Sequence, residues 1–311
     1  MKKITLLFGF ILMLTLSVEK ATAQYYFYDN KYYDSPILFE LGGSVGVMNC
    51  LTDLGGNKGI GKKFVKDLNL GKTQLAGSIY LSAMYQYMFA LRLEATFGTV
   101  TADDKVLKKV APSTFGRYER NLSFKSKITD FMLALEIHPL YIINKNNEDK
   151  EPPAFSPYLL GGVGFFSFKP QAKLAGKWID LQPLRTEGQG FAQYPDKKPY
   201  QLNQINIPIG VGVKYDLTTN LSMRAEFVYR KLNTDYLDDV STTYVDPSIY
   251  DAFTGAKRSN ALQLNNRQNE LTPSHITNEG DQRGNPKNKD AYFTFNIKIG
   301  YSFGREKIRR N

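Results

Sequence analysis

One segment near the end of the chain constrains the fold more than any other. From Ala291 to Phe303, the residues Ala291, Phe293, Phe295, Ile297, Ile299, Tyr301 and Phe303 fall on one side of a period-two strand. Tyr292, Thr294, Asn296, Lys298, Gly300 and Ser302 fall on the other. The apolar row is long enough to meet lipid, as a membrane β-strand requires. A half-buried strand of a soluble sheet shows the same alternation, so the compartment has to be read from the start of the chain.

Residues 1–23 carry Lys2 and Lys3, an apolar run from Ile4 to Val18 and the small-residue site Ala21-Thr22-Ala23. This is the pattern of a cleavable secretory signal, with Gln24 as the first mature residue. The alternative, an uncleaved helical anchor, needs roughly 20 apolar residues, and the run is shorter. No later segment is apolar over a spanning length, so any insertion of the mature chain into a membrane must use strands. Cys50 is the only cysteine, which rules out an intramolecular disulfide despite the oxidising compartment. The formal charge of +10 becomes +8 once Lys2, Lys3, Lys20 and Glu19 are removed. Export directs that basicity away from nucleic acid and toward lipopolysaccharide, peptidoglycan or acidic protein surfaces.

Eight segments read as strands, at 38–48, 75–87, 89–99, 122–137, 157–167, 204–216, 221–231 and 291–303. The connections between them alternate long and short, with tight turns at Met88 and 217–220, an intermediate 138–156, and long loops at 49–74, 100–121, 168–203 and 232–290. The expected fold is an all-β, closed, eight-stranded antiparallel transmembrane β-barrel, with short periplasmic turns and long extracellular loops. Its expected parts are a signal at 1–23, a periplasmic segment at 24–37, the barrel at 38–303 and a basic tail at 304–311.

The polar faces of these strands carry Glu40, Arg92, Glu94, Glu136, Lys214, Arg224, Glu226, Arg230 and Lys298. Eight strands enclose a space just wide enough for side chains to fill, so an ion-pair network is expected there in place of a water channel. Balanced inward charge favours structural pairing over a two-carboxylate active site. Pro208 interrupts its strand pattern, consistent with a bulge or a rim.

The remaining chemistry is sparse. His138 sits at the short-turn end and His275 in the longest loop, so only His275 has the position expected of a loop-end hydrolase or acyltransferase. Asp235, Asp238, Asp239 and Asp246 offer oxygen ligands of the type calcium prefers, without EF-hand spacing; a solvated acidic loop, or one pairing with Arg230 and Lys231, is the alternative. Gly161, Gly162 and Gly164 fit close strand approach better than a phosphate loop, because no Lys-Ser/Thr or helix follows. Tyr25, Tyr26, Phe27, Tyr28, Tyr32 and Tyr33 precede the first strand, as an interfacial girdle or as a periplasmic docking surface. No cofactor and no catalytic residue are expected.

Several passages resemble the PorG-like outer-membrane barrels, a family associated with the type IX secretion apparatus. These are Glu40–Val47, Pro157–Phe166, Trp178–Pro183 and Thr186–Gly190 within the span Lys173 to Tyr200, Tyr229–Pro247, and Arg283–Pro286. The loop strings are the specific part, since glycine-spaced aromatic strands occur in any small barrel. The resemblance implies a non-enzymatic outer-membrane barrel that docks on periplasmic ring subunits of that apparatus. The competing expectations are a small-solute porin and a general envelope-structural or surface-binding barrel.

Overall fold

The structure is a computed structural model that describes residues 32–56, 70–114, 116–144, 155–218, 220–271 and 277–307. The signal segment, Tyr25, Tyr26, Phe27, Tyr28 and His275 lie outside the described residues. The strands are β1 (Tyr32–Leu51), β2 (Gln74–Tyr85), β3 (Phe89–Asp103), β4 (Ser123–Ile137), β5 (Phe155–Leu174), β6 (Lys177–Asp180), β7 (Asn203–Asp216), β8 (Leu221–Leu232) and β9 (Ala291–Lys307). Leaving β6 aside, the other eight strands are each antiparallel to both neighbours, and the pairings of β4 with β5 and β1 with β9 close the ring. Closure removes every free edge from this eight-strand wall, which is the condition for strands to lie in lipid.

Side chains alternate around the whole wall. Outward positions expose Leu41 and Val45 on β1, Ile79 and Leu81 on β2, Leu91 and Leu93 on β3, and Leu133 and Leu135 on β4. The row continues through Leu159 and Val163 on β5, Ile207 and Ile209 on β7, Met223 on β8, and Ile297 and Ile299 on β9. An apolar band that circles a closed barrel is a lipid-facing surface; a soluble monomer rarely exposes so large a contiguous patch. Phe39, Tyr85, Phe89, Phe155, Tyr301 and Phe303 form an exposed aromatic ring at the short-turn end of this band. These strand-end aromatics have the placement of an interfacial girdle.

Several boundaries differ from the sequence expectation. Tyr32 and Tyr33 are the first residues of β1, paired with Lys307 and Glu306, so the strand starts before residue 38 and the tail begins as strand. A register shift between Asp34 and Phe39 separates this two-strand extension from the wall. The long loop after residue 167 is partly strand: Phe166, Phe168, Pro170 and Ala172 continue the inward row of β5, and β6 folds back on it. Ala175 and Gly176, both at positive φ, make that turn. Pro208 neither bulges the sheet nor marks a rim. It stays in register with Arg230 on β8, while the β5 ladder omits Ile207 and Pro208 between the Gly161–Ile209 and Gly164–Asn206 pairs. The missing proline N–H falls in that gap.

The interior has two layers. The level nearer the short turns holds charged groups, and the level nearer the long loops is an apolar core that includes Met48, Val100, Phe124, Ile128, Phe166, Phe168, Leu232 and Tyr292. Loop residues Leu54, Leu181, Leu184, Leu237, Val245 and Tyr250 join the same core, so the long loops fold down over the barrel mouth as a packed cap. Leu93→Arg, on the lipid face, should lower stability by about 2–4 kcal/mol, the cost of a charge deep in the bilayer. Urea unfolding in lipid vesicles measures it.

Candidate functional site

Even-numbered positions of β1, β3, β4, β7, β8 and β9 aim into the lumen, which brings together charges far apart in sequence. Arg92 approaches Glu94, Glu136 and Glu226 at 3.2, 2.8 and 2.6 Å. Its nitrogens lack the alignment of good hydrogen bonds, so it acts as a central point charge for three carboxylates. Lys298 sits 2.6 Å from Glu94 and 2.9 Å from Glu226. Arg224 bridges Glu40 at 2.7 Å and Glu136 at 2.9 Å, and Lys214 reaches Glu40 at 3.0 Å.

Arg230 belongs to a separate pair. It lies 2.6 Å from Asp130, which also accepts from Asn206 at 2.7 Å. Asp130 was not singled out from the sequence, although it shares the inward parity of Glu136 on β4. Five carboxylates and five cations thus face one another in these clusters, and each sign offsets the desolvation of the other.

Two tyrosines complete the network. Tyr80 donates to Glu40 at 2.6 Å and Tyr158 to Glu226 at 2.7 Å. Their rings lie flat against the wall because the facing residues are glycines: Gly42 and Gly300 beside Tyr80, and Gly212 beside Tyr158. A Cβ at any of the three would overlap the ring. The aromatic-glycine spacing carried that signal in the sequence. His138, buried beside the short turns, contacts Ser156 at 3.0 Å and Glu136 at 3.4 Å.

The lumen is closed to water. Arg92, Arg224, Arg230 and Lys298 are each 0 % exposed, whereas a channel would leave solvent on such groups. Glu40, Glu94, Glu136 and Glu226 each meet cations here, the arrangement of a structural ion-pair network.

The cap is held by two buried arginines that sequence reasoning missed. Arg120 bonds Asp104 in its own loop, the Asp53 carbonyl in the first loop and the Arg283 carbonyl in the last. Arg283 pairs with Glu187 at 2.9 Å, and Glu187 also accepts from the Ser241 and Thr242 amides. All four long loops are joined through these contacts.

Among the acidic candidates for a metal, the four aspartates do not converge. Asp239 accepts from Tyr200 and Thr186, Asp238 from the Leu54 and Val240 amides, and Asp246 is an exposed cap residue bonding the Ser248 amide. No group of three metal-type side chains occurs among the described residues. The loop is also not a solvated acidic one, because Asp235, Asp238 and Asp239 are buried. Burial first, and the neighbouring Asp53 charge with it, pushes the Asp235 and Asp238 carboxyls up to about 8. Burial, with Asp238 and Asp235 nearby, also drives Asp290 well above the carboxylate range.

At the short-turn end, α1 (Pro139–Asn144) leaves Ile143 71 % exposed beside the exposed Ile142. Tyr141 of this helix stacks on Tyr87 at 5.4 Å. An apolar patch thus sits where the chain leaves the barrel at its narrow-turn end.

Among known proteins, no family model matches the chain, and no curated protein matches it. Solved membrane barrels overlap it loosely. Ail, the attachment invasion locus protein of Yersinia pestis, is 10 % identical with a TM-score of 0.38, over 86 % of this chain and 100 % of its own. A major outer membrane protein of Thermus thermophilus gives 13 % and 0.39 over 86 % and 100 %, and Neisserial surface protein A gives 9 % and 0.38 over 87 % and 99 %. The fold assignment rests on the closed pairing and lipid-facing band of this chain itself. That architecture belongs to the outer membrane of Gram-negative bacteria.

Removing one lumen partner should cost far more than removing a pair. Arg230→Met leaves Asp130 uncompensated and should destabilise by about 3–5 kcal/mol, much of it recovered in Arg230→Met/Asp130→Leu. Urea unfolding of the two variants in vesicles tests this.

The cap should respond to pH in the opposite sense to a salt-bridged carboxylate. Because the folded pKa values of Asp235 and Asp238 are raised, their contribution is full below the unfolded carboxylate pKa and falls as pH climbs to about 8. Hydrogen exchange at the Leu54 and Leu237 amides, corrected for intrinsic rates, should therefore lose protection from about pH 4 to about pH 8 and level off above that. Asp238→Asn should flatten the profile.

Proposed function

We propose that this protein is a non-enzymatic integral outer-membrane barrel that serves as a membrane anchor for the type IX secretion apparatus, docking on its periplasmic ring. The observation that supports the anchoring part is the filled interior: a lumen packed with buried, paired charges favours an anchor over a solute path. The docking part rests on the PorG-like loop strings and on the exposed Ile142 and Ile143 beside the half-buried Tyr141. With short turns toward the periplasm, that patch and both barrel-strand termini face the ring.

The packed cap favours a second reading, a surface-binding barrel. Long loops joined by Arg120, Arg283 and Glu187 offer a fixed outer surface, and fixed loops lower the ordering cost of binding. The two readings place the partner on opposite sides of the membrane.

A photo-crosslinking residue at Ile143, compared in living cells with one at the cap residue Lys257, separates them. Docking predicts ring lipoproteins attached at position 143 and absent at 257. Crosslinks confined to position 257, with secretion unchanged when the chain is deleted, would overturn the secretion role.

A further inference from the structure

Beside the cap, on the outside of the wall, lies a cavity of about 880 Å³ that neither the sealed lumen nor the apolar patch accounts for. Its floor is the long-loop end of β8, β9 and β1, where Tyr229, Lys231, Ala291 and Leu51 occupy outward positions. Its roof is the segment from Asp281 to Asp290 together with the stretch around Arg117.

The cavity is amphiphilic along its length. Lys231, Lys287 and Lys289 are exposed on its rim, and none of the three forms an ion pair among the described residues. Arg117 adds a fourth cation, bonded to the Gly55 carbonyl at 3.1 Å. The acids that share the lining are weak opposition. Asp290 is buried, with burial and the nearby Asp238 and Asp235 driving its carboxyl above the carboxylate range, Asp53 accepts from the Asn285 amide, and Asp281 accepts from the Asn278 amide. Arg120 and Arg283 are already engaged with Asp104 and Glu187.

Toward the membrane, the same outward rows continue as Phe227 and Phe293, whose rings pack 5.4 Å apart, and then as Phe295, Ile297 and Ile299. Three lysines without ion-pair partners among the described residues, above an aromatic and aliphatic wall, match a ligand with phosphate groups above acyl chains. A soluble phosphate compound would leave the apolar half unused, and an uncharged lipid would leave the lysines unused.

We propose that this rim cleft is a binding site for a phosphorylated glycolipid of the outer leaflet, with its phosphates on Lys231, Lys287 and Lys289 and its acyl chains along Phe227, Phe293 and Phe295. The proposal rests on the outer-membrane reading and on long loops facing outward, and is independent of the secretion role.

Native mass spectrometry of the full purified chain tests it, using bis-phosphorylated lipid A, dephosphorylated lipid A and phosphatidylglycerol as probes. Lipid A should bind in preference to both others. Lys231→Glu/Lys287→Glu/Lys289→Glu should weaken it by about tenfold or more, given that each basic residue contributes to attraction at an anionic surface. The matched control Lys105→Glu/Lys108→Glu/Lys109→Glu, exposed in another loop, should change it little. Equal losses in both triples, or equal binding of the dephosphorylated probe, would overturn the site. The compact, heat-modifiable electrophoretic form of each variant verifies folding. Labelling of Lys287→Cys on intact cells with an impermeant maleimide reads orientation separately, since Cys50 is buried. An unlabelled residue 287 in a barrel that still binds lipid A would count against the outer-leaflet source alone.

Discussion

Neutralising charge within a lumen too narrow for water is the constraint on which the structure depends. A closed wall of eight strands has to turn one side of each strand inward, and period-two alternation puts the polar side there. Glu40, Glu94, Asp130, Glu136 and Glu226 would each be prohibitive to bury alone. Arg92, Arg224, Arg230, Lys214 and Lys298 meet them across the barrel, linking β1, β3, β4, β7, β8 and β9. Such a network contributes modest net stability, because desolvation offsets most of the attraction. Its larger effect is on register: a slip of one residue in any of these six strands would send a charge into lipid and an apolar side chain into the lumen.

Sealing and capping follow from the same arrangement. With the charged level filled, the wider level above it is closed by aromatic and aliphatic side chains, and the loops supply part of that core. Phe168 stacks on Tyr200, which in turn stacks on Tyr236, so strand and loop residues form one aromatic series across the mouth. The cap is thereby an extension of the barrel interior, and its buried arginines hold four loops to one geometry. What remains for partners is the outside: an apolar patch at one end and a cationic cleft at the other.

The wall was legible in the sequence because alternation is a local property. Glu94 and Arg92 could be assigned to the inward face from residues on the same strand, and Asp130 could have been by the same parity. The cap was not legible. Arg120 meets Arg283 across 163 positions and Glu187 meets Arg283 across 96, and no local pattern marks either pair. Asp235, Asp238 and Asp239 look like a solvated or metal-binding cluster when read along the chain. Their burial depends on strands and loops that approach from elsewhere.

The sequence by itself determined a strand-built membrane protein, its number of wall strands, the inward and outward faces, and which ends carry long loops. These follow from side-chain period and segment length, which need no knowledge of neighbours. Tertiary structure decided which charge meets which, that β5 runs on beyond residue 167, that the loops close the mouth, and that three lysines line one cleft beside an aromatic wall. Those outcomes depend on barrel closure, which brings residues into contact across distances in sequence that no short-range pattern encodes.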